Sequence, residues 1–165
     1  MESSPKLVAA LLLALASAMV VTAQDGADDV LYAHNVVRAS VGVGPVSWDT
    51  NLQAYALSYA LQRSADCQLI LSPEVRPYGE NLFVGAGTSW TGVDAVKYWA
   101  SGVQYYDHAT NTCSVPPGQV CDQYKQLVWR STTHIGCARV DCAGAIGTFI
   151  ICSYSPRPVE GQIPY

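Results

Sequence analysis

Charged residues are scarce in this sequence, and no block of basic residues occurs along it. Charged side chains make up 13% of the 165 residues, and the net charge is −4. Because phosphate binding needs a clustered cationic face, this composition excludes nucleic acid as a partner. Half of the residues are hydrophobic, which is enough for one domain with a core of its own.

Long apolar runs are lacking everywhere except near the N-terminus. There, Lys6 precedes an apolar run over residues 7–21, and Val21-Thr22-Ala23 fits a small-residue cleavage site. The run falls short of the roughly 20 apolar residues that a membrane-spanning helix needs. We therefore predict a secretory signal peptide over residues 1–23, a single domain over residues 24–165, and no stable membrane insertion.

The cysteines lack the close C-x2-C spacing that is typical of a zinc site. The sequence contains six of them, Cys67, Cys113, Cys121, Cys137, Cys142 and Cys152. An even number of cysteines behind a signal peptide predicts three disulfide bonds formed in an oxidising compartment, although the spacing leaves the pairing open. The nucleophile motif G-x-S-x-G is also missing. Nucleophilic catalysis is therefore not indicated.

Three stretches repeat apolar residues at the spacing of an amphipathic helix. They cover residues 28–40, the residues that follow Asp49, and residues 91–103. Side chains that accept hydrogen bonds from a first helical turn are expected just before each stretch. The predicted N-caps are Asp28 or Asp29 for the first, Asp49 for the second, and Thr91 in a capping box with Asp94 for the third.

The stretch from Cys121 to Cys137, C-D-Q-Y-K-Q-L-V-W-R-S-T-T-H-I-G-C, joins a short helix to a strand. Apolar residues recur at helical spacing up to Trp129, and alternation from Thr133 onward favours a strand. A second strand is predicted over residues 147–154 after a turn at 143–145, and a third follows Glu80. This order of elements predicts an α/β domain with helices on both sides of a small, mostly antiparallel sheet.

Four motifs resemble those of the CAP superfamily of secreted cysteine-rich proteins, most closely its plant pathogenesis-related group 1 members. They are His34-Asn35-Val36-Val37-Arg38 for H-N-x-x-R, Cys67 to Ser72 for C-x-L-x-H-S, Tyr78-Gly79-Glu80-Asn81-Leu82 for Y-G-E-N-L, and Gln123 to Trp129 for the end of G-H-Y-T-Q-V-V-W. The resemblance spans roughly Val30 to Pro156. It implies one CAP (SCP) domain, a three-layer α–β–α sandwich stabilised by the disulfides Cys67–Cys142, Cys113–Cys121 and Cys137–Cys152.

The resemblance also implies a cleft in which many members hold a divalent metal with two histidines and two glutamates. The four corresponding positions here are Leu71, Glu80, Gly102 and Gln123. Because a catalytic zinc needs about three protein ligands, we expect no metal, no cofactor and no catalytic residue. Leu71 and Gly102 are expected to make the cleft more apolar and roomier, and Glu80 is expected to accept backbone hydrogen bonds.

The three histidines are expected to have structural or surface positions rather than ligand roles. His34 has no second histidine three or four residues away, so a hydrogen-bonded structural histidine is favoured over a metal ligand. His108 and His134 fall in stretches that are typical of loops or surfaces. None of the three histidines is therefore assigned to a site.

Three functional hypotheses follow from the resemblance. The favoured one is a monomeric, non-enzymatic defence protein of the apoplast that binds a lipid such as a sterol. A metal-dependent hydrolase is disfavoured by the lost ligands. The third is a precursor that releases its C-terminal tail as a signalling peptide. Residues 152–155 fit the C-x-Y-x part of that cleavage motif, but residues 156–159 depart from P-x-G-N. We expect an extended tail from about residue 156 that stays attached.

Overall fold

The computed structural model describes residues 26–73 and 77–165. The predicted signal peptide and its cleavage site lie outside these residues and stay predictions. Across the described ranges, none of the helices combines the length and the apolar character needed to cross a bilayer.

The described chain contains four α-helices, two short 3-10 helices and six strands. The α-helices are α1 (Ala27–Ser40), α2 (Thr50–Arg63), α3 (Gly92–Ala100) and α4 (Val120–Leu127), and the 3-10 helices cover Ser101–Tyr105 and Ala143–Ala145. The strands are β1 (Ser47–Trp48), β2 (Gly79–Ala86), β3 (Tyr106–Asp107), β4 (Thr112–Cys113), β5 (His134–Asp141) and β6 (Gly147–Ser155).

The main sheet has four strands in the order β1-β5-β6-β2. Strand β1 runs parallel to β5, and the other neighbouring pairs are antiparallel. Strands β3 and β4 form a separate antiparallel pair. Strand β6 is the most buried, since every residue from Gly147 to Tyr154 is buried. The small, mostly antiparallel sheet agrees with the prediction.

Helices cover both faces of this sheet, so the three-layer α–β–α sandwich is confirmed. Alternate residues of a strand point to opposite faces, and β6 shows the division clearly. Phe149 and Ile151 pack with Ala56, Tyr59 and Ala60 of α2. Ile150, Cys152 and Tyr154 of β6 point to the opposite face and belong to a second core. This core also contains side chains from α1, α3 and α4, namely Val30, Val96, Trp99, Tyr124 and Leu127.

The helix starts agree with the sequence at two of the three predicted caps. Asp49 accepts hydrogen bonds from the N–H groups of the first turn of α2, and the Thr91–Asp94 capping box opens α3. The expectation of Asp28 or Asp29 as the first N-cap was wrong, because α1 already begins at Ala27 with Gly26 as its cap. The Asp29 carboxylate instead accepts from the Gly26 N–H at 3.2 Å, from inside the first turn.

Three disulfides tie these elements together. Cys67–Cys142 joins the segment after α2 to the connection between β5 and β6, and Cys113–Cys121 joins β4 to α4. Cys137–Cys152 links directly opposed residues of β5 and β6. They are the pairs that the CAP resemblance implies. Each closed loop limits the unfolded chain, and a native disulfide typically contributes about 2–4 kcal/mol to stability.

The tail after β6 is not the extended segment that was expected. It reverses at Gly161, whose φ of +80° lies in the left-handed region that favours glycine. The chain then returns to the body of the protein, where Pro164 is buried and its carbonyl accepts from the Arg130 N–H at 2.7 Å.

Candidate functional site

His34 lies at the centre of a buried hydrogen-bond chain that connects α1 to the sheet. Its Nδ1 donates to the Val30 carbonyl at 2.8 Å, so its Nε2 accepts from the Tyr154 hydroxyl at 3.0 Å. Asn81 in turn donates to the Tyr154 oxygen at 3.2 Å. Burial lowers the pKa of His34 to about 4. The imidazole is therefore neutral at pH 7, the hydrogen-bonded structural histidine that the sequence predicts.

Arg38, one turn further along α1, is equally buried and donates hydrogen bonds to backbone carbonyls that follow α1 and that lie at and after the end of α4. Its guanidinium donates to four backbone carbonyls at 2.8–3.1 Å, those of Gly44, Leu127, Trp129 and Thr132. Burial lowers the pKa of Arg38 to about 10, which leaves it protonated at neutral pH. The H-N-x-x-R motif thus holds the scaffold together around the cleft.

Three of the four family ligand positions meet in one small pocket, and the fourth does not. Leu71, Glu80 and Gln123 line a pocket of about 140 Å³. Gly102 is buried elsewhere, and a Cβ added to it would overlap the Val120 carbonyl oxygen and lie 2.9 Å from the Tyr124 Cβ. The expectation that Gly102 enlarges the cleft was wrong, because α4 fills the space beside it.

The Glu80 carboxylate is already occupied by protein donors. Its Oε2 accepts from the Ser72 N–H at 3.0 Å, and its Oε1 accepts from the Ser72 hydroxyl. The Tyr55 hydroxyl lies 3.1 Å from the same serine oxygen. Glu80 therefore fastens the segment around Ser72 to β2, and its backbone hydrogen bond is the kind that the sequence analysis expected.

The other polar residues of the pocket are also engaged. Gln123 donates from Nε2 to the Leu82 carbonyl at 2.8 Å. Asp122, which the sequence analysis missed, lines the same pocket and accepts from the Gly118 N–H at 2.7 Å. The position of Asp122 beside Gln123, in the first turn of α4, is the sequence feature that could have indicated that it lines the pocket. General acid–base catalysis needs a titratable pair within reach of a substrate. Both carboxylates here instead accept hydrogen bonds from backbone N–H groups of other residues in the chain.

Metal-ligand side chains converge at one other place in the part of the chain that is described. His34, Cys137 and Cys152 offer atoms within 4.8 Å of one another. The two cysteines form a disulfide, so they provide no thiolate for a metal. The His34 imidazole is fully used by its two hydrogen bonds. This buried cluster is therefore structural.

The profile of the Cysteine-rich secretory protein family, CAP, matches residues 31–154. The chain belongs to the CAP family. It is 49% identical to the pathogenesis-related protein PRMS of Zea mays over the full length of both chains. It is 46% identical to the pathogenesis-related protein 1A of Nicotiana tabacum, over 96% of this chain and 92% of the relative. These similarities identify a CAP protein of the plant pathogenesis-related group 1 type.

The solved structures agree with this assignment at the level of the fold. The venom allergen-like protein 4 of Schistosoma mansoni superimposes with a TM-score of 0.64 at 25% identity, over 88% of this chain and 95% of that one.

A second, larger concavity of this CAP protein lies between α1 and α3. It has a volume of about 650 Å³ and is lined by Asp29, Tyr32, Ala33, Val36, Val37, Val93, Val96, Lys97 and Ala100. Tyr32 is 72% exposed and Val36 is 50% exposed. We call it the α1–α3 groove. The helical spacing of residues 28–40 does not reveal the groove, because Tyr32 and Val36 form an apolar pair four residues apart, on a face other than the buried one that carries His34.

Proposed function

We propose that this chain is a secreted, non-enzymatic plant defence protein that binds a lipid such as a sterol in the α1–α3 groove. The observation that carries the proposal is the apolar lining of a groove of about 650 Å³. That volume lies within the roughly 300–1,000 Å³ that small-molecule sites occupy. A ligand there would cover the exposed side chains of Tyr32 and Val36.

The chemistry of the groove suits a molecule that is mostly hydrocarbon with one polar end. Seven of the nine lining residues are aliphatic or aromatic, and the other two are Asp29 and Lys97. Each methylene group removed from water contributes about 0.8 kcal/mol. The Tyr32 hydroxyl and the two charged residues offer hydrogen bonds to a hydroxyl group such as the one on a sterol ring.

Secretion and a defence role are supported by independent features. Three disulfides are typical of proteins that fold in an oxidising compartment, and the N-terminal sequence predicts a signal peptide. The relatives are named pathogenesis-related proteins. CAP proteins of this type are generally not enzymes, and the carboxylates of the small pocket bond to their own chain. We infer that the protein acts by binding, as a monomer in the apoplast.

Binding of a fluorescent sterol, measured with Val36→Asp and Leu61→Asp, tests the proposal. Both substitutions place a carboxylate at an exposed aliphatic position, 50% exposed in α1 and 58% exposed in α2. Only Val36 lines the groove. We expect Val36→Asp to weaken sterol binding about tenfold or more, since a charge in an apolar site costs over 1 kcal/mol. Leu61→Asp should bind as the wild type does. Failure of the wild type to bind, or equal loss in both variants, would contradict the proposal.

A further inference from the structure

Two exposed aromatic rings flank Phe83 near the end of β2. Trp90 is 38% exposed and Tyr98 is 48% exposed, whereas Phe83 is nearly buried. The centroid of the Phe83 ring lies 5.2 Å from that of Trp90 and 5.6 Å from that of Tyr98, with interplanar angles of 60° and 68°. Neither exposed ring lines the α1–α3 groove. They form a separate surface, which we call the aromatic platform.

Trp90 is held in a fixed orientation with one face on the backbone of β2. The Trp90 Nε1 donates to the Ala86 carbonyl at 2.9 Å, and the Arg139 Nε donates to the Trp90 carbonyl at 2.8 Å. A Cβ added to Gly85 would overlap three adjacent atoms of the five-membered ring, Nε1, Cδ1 and Cε2, to similar depths. Gly85 therefore lies over one face of the indole, and the side chain as a whole remains 38% exposed.

Tyr98 also lines a groove that contains two glutamine side chains, of which Gln123 already donates to the Leu82 carbonyl. The groove has a volume of about 300 Å³, and its lining is mostly aliphatic or aromatic, with two amide side chains, Gln119 and Gln123. Gln119 is exposed, and its side chain does not cap α4 although it holds the N-cap position. An amide offers two donors and an acceptor. Hydroxyl groups of a ligand that rests on Tyr98 would find these partners within the same groove.

The surroundings of the platform disfavour anionic ligands. Neither this groove nor the adjoining small pocket has a lysine or arginine among its described lining residues, and the small pocket contains Glu80 and Asp122. Arg139, the cation beside Trp90, is paired with Asp141 at 2.8 Å and donates to the Thr88 carbonyl. Negative potential of this kind repels phosphate, sulfate and uronate groups.

We propose that Trp90 and Tyr98 form a stacking platform for a neutral, β-linked polysaccharide of pyranose sugars. The C–H faces of such a sugar fit the electron-rich face of an aromatic ring, and its equatorial hydroxyls point outward to amides. Both rings contact Phe83, so their centroids are no farther apart than the sum of the two distances to it, about the length of a disaccharide. Sugars one or two units apart in an extended β-linked chain can therefore reach both rings.

A rigid sugar chain explains the fixation of Trp90 better than a lipid or a mobile peptide does. The exposed apolar area is divided between two rings on either side of Phe83. The groove on the Tyr98 side contains the amides of Gln119 and Gln123, and the adjoining small pocket contains the carboxylates of Glu80 and Asp122. An indole fixed by a hydrogen bond and by contact with Gly85 loses little side-chain entropy when a ligand stacks on it. Pre-organisation of this kind matters most for ligands with weak apolar character.

Calorimetric titration with laminarihexaose, cellohexaose and chitohexaose tests the proposal on the full mature chain. The wild type should bind at least one of them saturably, and the binding should alter the tryptophan fluorescence. Trp90→Ala and Tyr98→Ala should each weaken it about fivefold or more, since one aromatic contact contributes on the order of 1 kcal/mol. Gly85→Ala should do the same, because its methyl group displaces the indole. Tyr32→Ala, a tyrosine removed from the α1–α3 groove, is the matched control and should bind sugars normally.

Several outcomes would overturn the inference. They are no saturable binding of any of the three sugars, binding that survives both Trp90→Ala and Tyr98→Ala, and binding of polygalacturonate in preference to the neutral sugars. Trp90→Phe keeps an aromatic face and should retain more affinity than Trp90→Ala, so an equal loss in both would exclude stacking. Circular dichroism and unfolding midpoints show that the variants are folded. The result is independent of sterol binding, because the two sites share no residue.

Discussion

Acidification should destabilise this protein through one buried side chain, His34. Burial lowers the pKa of His34 to about 4, whereas a histidine in an unfolded chain has a pKa of about 6.5. The neutral ring donates to Val30 and accepts from Tyr154. A proton added to Nε2 would remove that acceptor and place a second positive charge one helical turn from Arg38, whose charge also lowers the pKa of His34.

The pH window and the size of the effect follow from these two pKa values. Between pH 6.5 and pH 4 the unfolded chain binds a proton that the folded chain does not bind. The free energy of unfolding is therefore highest above pH 6.5, falls as the pH is lowered through this window, and loses nothing more from His34 below pH 4. The separation of the two pKa values corresponds to about 3 kcal/mol, a large share of the 5–15 kcal/mol that is typical of a domain.

The groups that face His34 do not titrate in the same window. Burial raises the pKa of Tyr154 far above its usual range, and Arg38 stays protonated. Asn81 and Trp99, which approach from β2 and α3, carry no charge. Hydrogen bonds from Thr91 and Thr110 lower the pKa values of Asp94 and Asp107 below the ordinary value for a carboxyl, so these two carboxylates affect stability at lower pH. The loss between pH 6.5 and pH 4 should thus belong to His34.

Urea denaturation of the wild type, His34→Gln and His134→Gln between pH 7.5 and pH 4 measures the effect. The wild type and the exposed-site control His134→Gln should lose about 3 kcal/mol more than His34→Gln over this range. The chain has three histidines, so NMR titration can also follow each imidazole separately. A His34 resonance that titrates near pH 6.5, or parallel losses in the wild type and His34→Gln, would refute this reasoning.

Three further predictions concern packing, cross-links and metal binding. Gly102→Ala should lower the free energy of unfolding by about 1–3 kcal/mol because its Cβ overlaps the Val120 carbonyl, whereas Gly44→Ala has open space around it and should be nearly neutral in urea denaturation. Reduction of the disulfides should cost more than about 2 kcal/mol, and a smaller difference between denaturation with and without reductant would argue against the assigned framework. Zinc calorimetry should show no tight site, and sub-micromolar affinity that disappears in Glu80→Ala would contradict this.

The parts of the fold that depend on local chemistry could be predicted from the sequence. Asp49 and Thr91 cap their helices because a side chain placed one residue before a helix satisfies N–H groups of its own first turn. The strands on either side of residues 143–145 also followed from alternation and a turn. Strand β1 did not, because its two residues pair in parallel with β5 across a long separation, and nothing local marks that contact.

The cleft was harder to predict, because a missing side chain was equated with empty space. Gly102 lacks the family carboxylate, but α4 packs against its Cα and leaves no opening there. The expectation that Glu80 accepts a backbone hydrogen bond agrees with the structure, where its carboxylate accepts from the Ser72 N–H. The aromatic platform depends on Gly85, which the sequence presents only as one glycine in a loop-like Gly-Ala-Gly run. Its role becomes visible only once the indole lies across it.

The contacts of the tail bear on whether it is released as a peptide. In the precursor hypothesis the cut falls between Ser155 and Pro156, where the C-x-Y-x match ends. Thr132 donates from its hydroxyl to the Pro156 carbonyl at 2.8 Å, one residue beyond that bond. Further along, the Tyr165 hydroxyl lies 3.0 Å from that of Tyr124, and the Tyr165 ring stacks on His108 with centroids 4.5 Å apart. A protease must first detach this segment to bind it in an extended form, and Pro158 removes a backbone donor from the same stretch.

We therefore expect the tail to remain part of the folded protein in the extracellular fluid. Intact mass spectrometry of fluid from stressed tissue should show a chain that still contains residues 156–165, and the Arg130 amide, which donates to the Pro164 carbonyl, should be protected from hydrogen exchange. The variant Tyr165→Ala, which removes the aromatic stack, should speed exchange at Arg130 and leave the distant β5–β6 ladder unchanged. A free peptide that begins at Pro156 would show that the contacts do not prevent cleavage, and it would favour the precursor hypothesis instead.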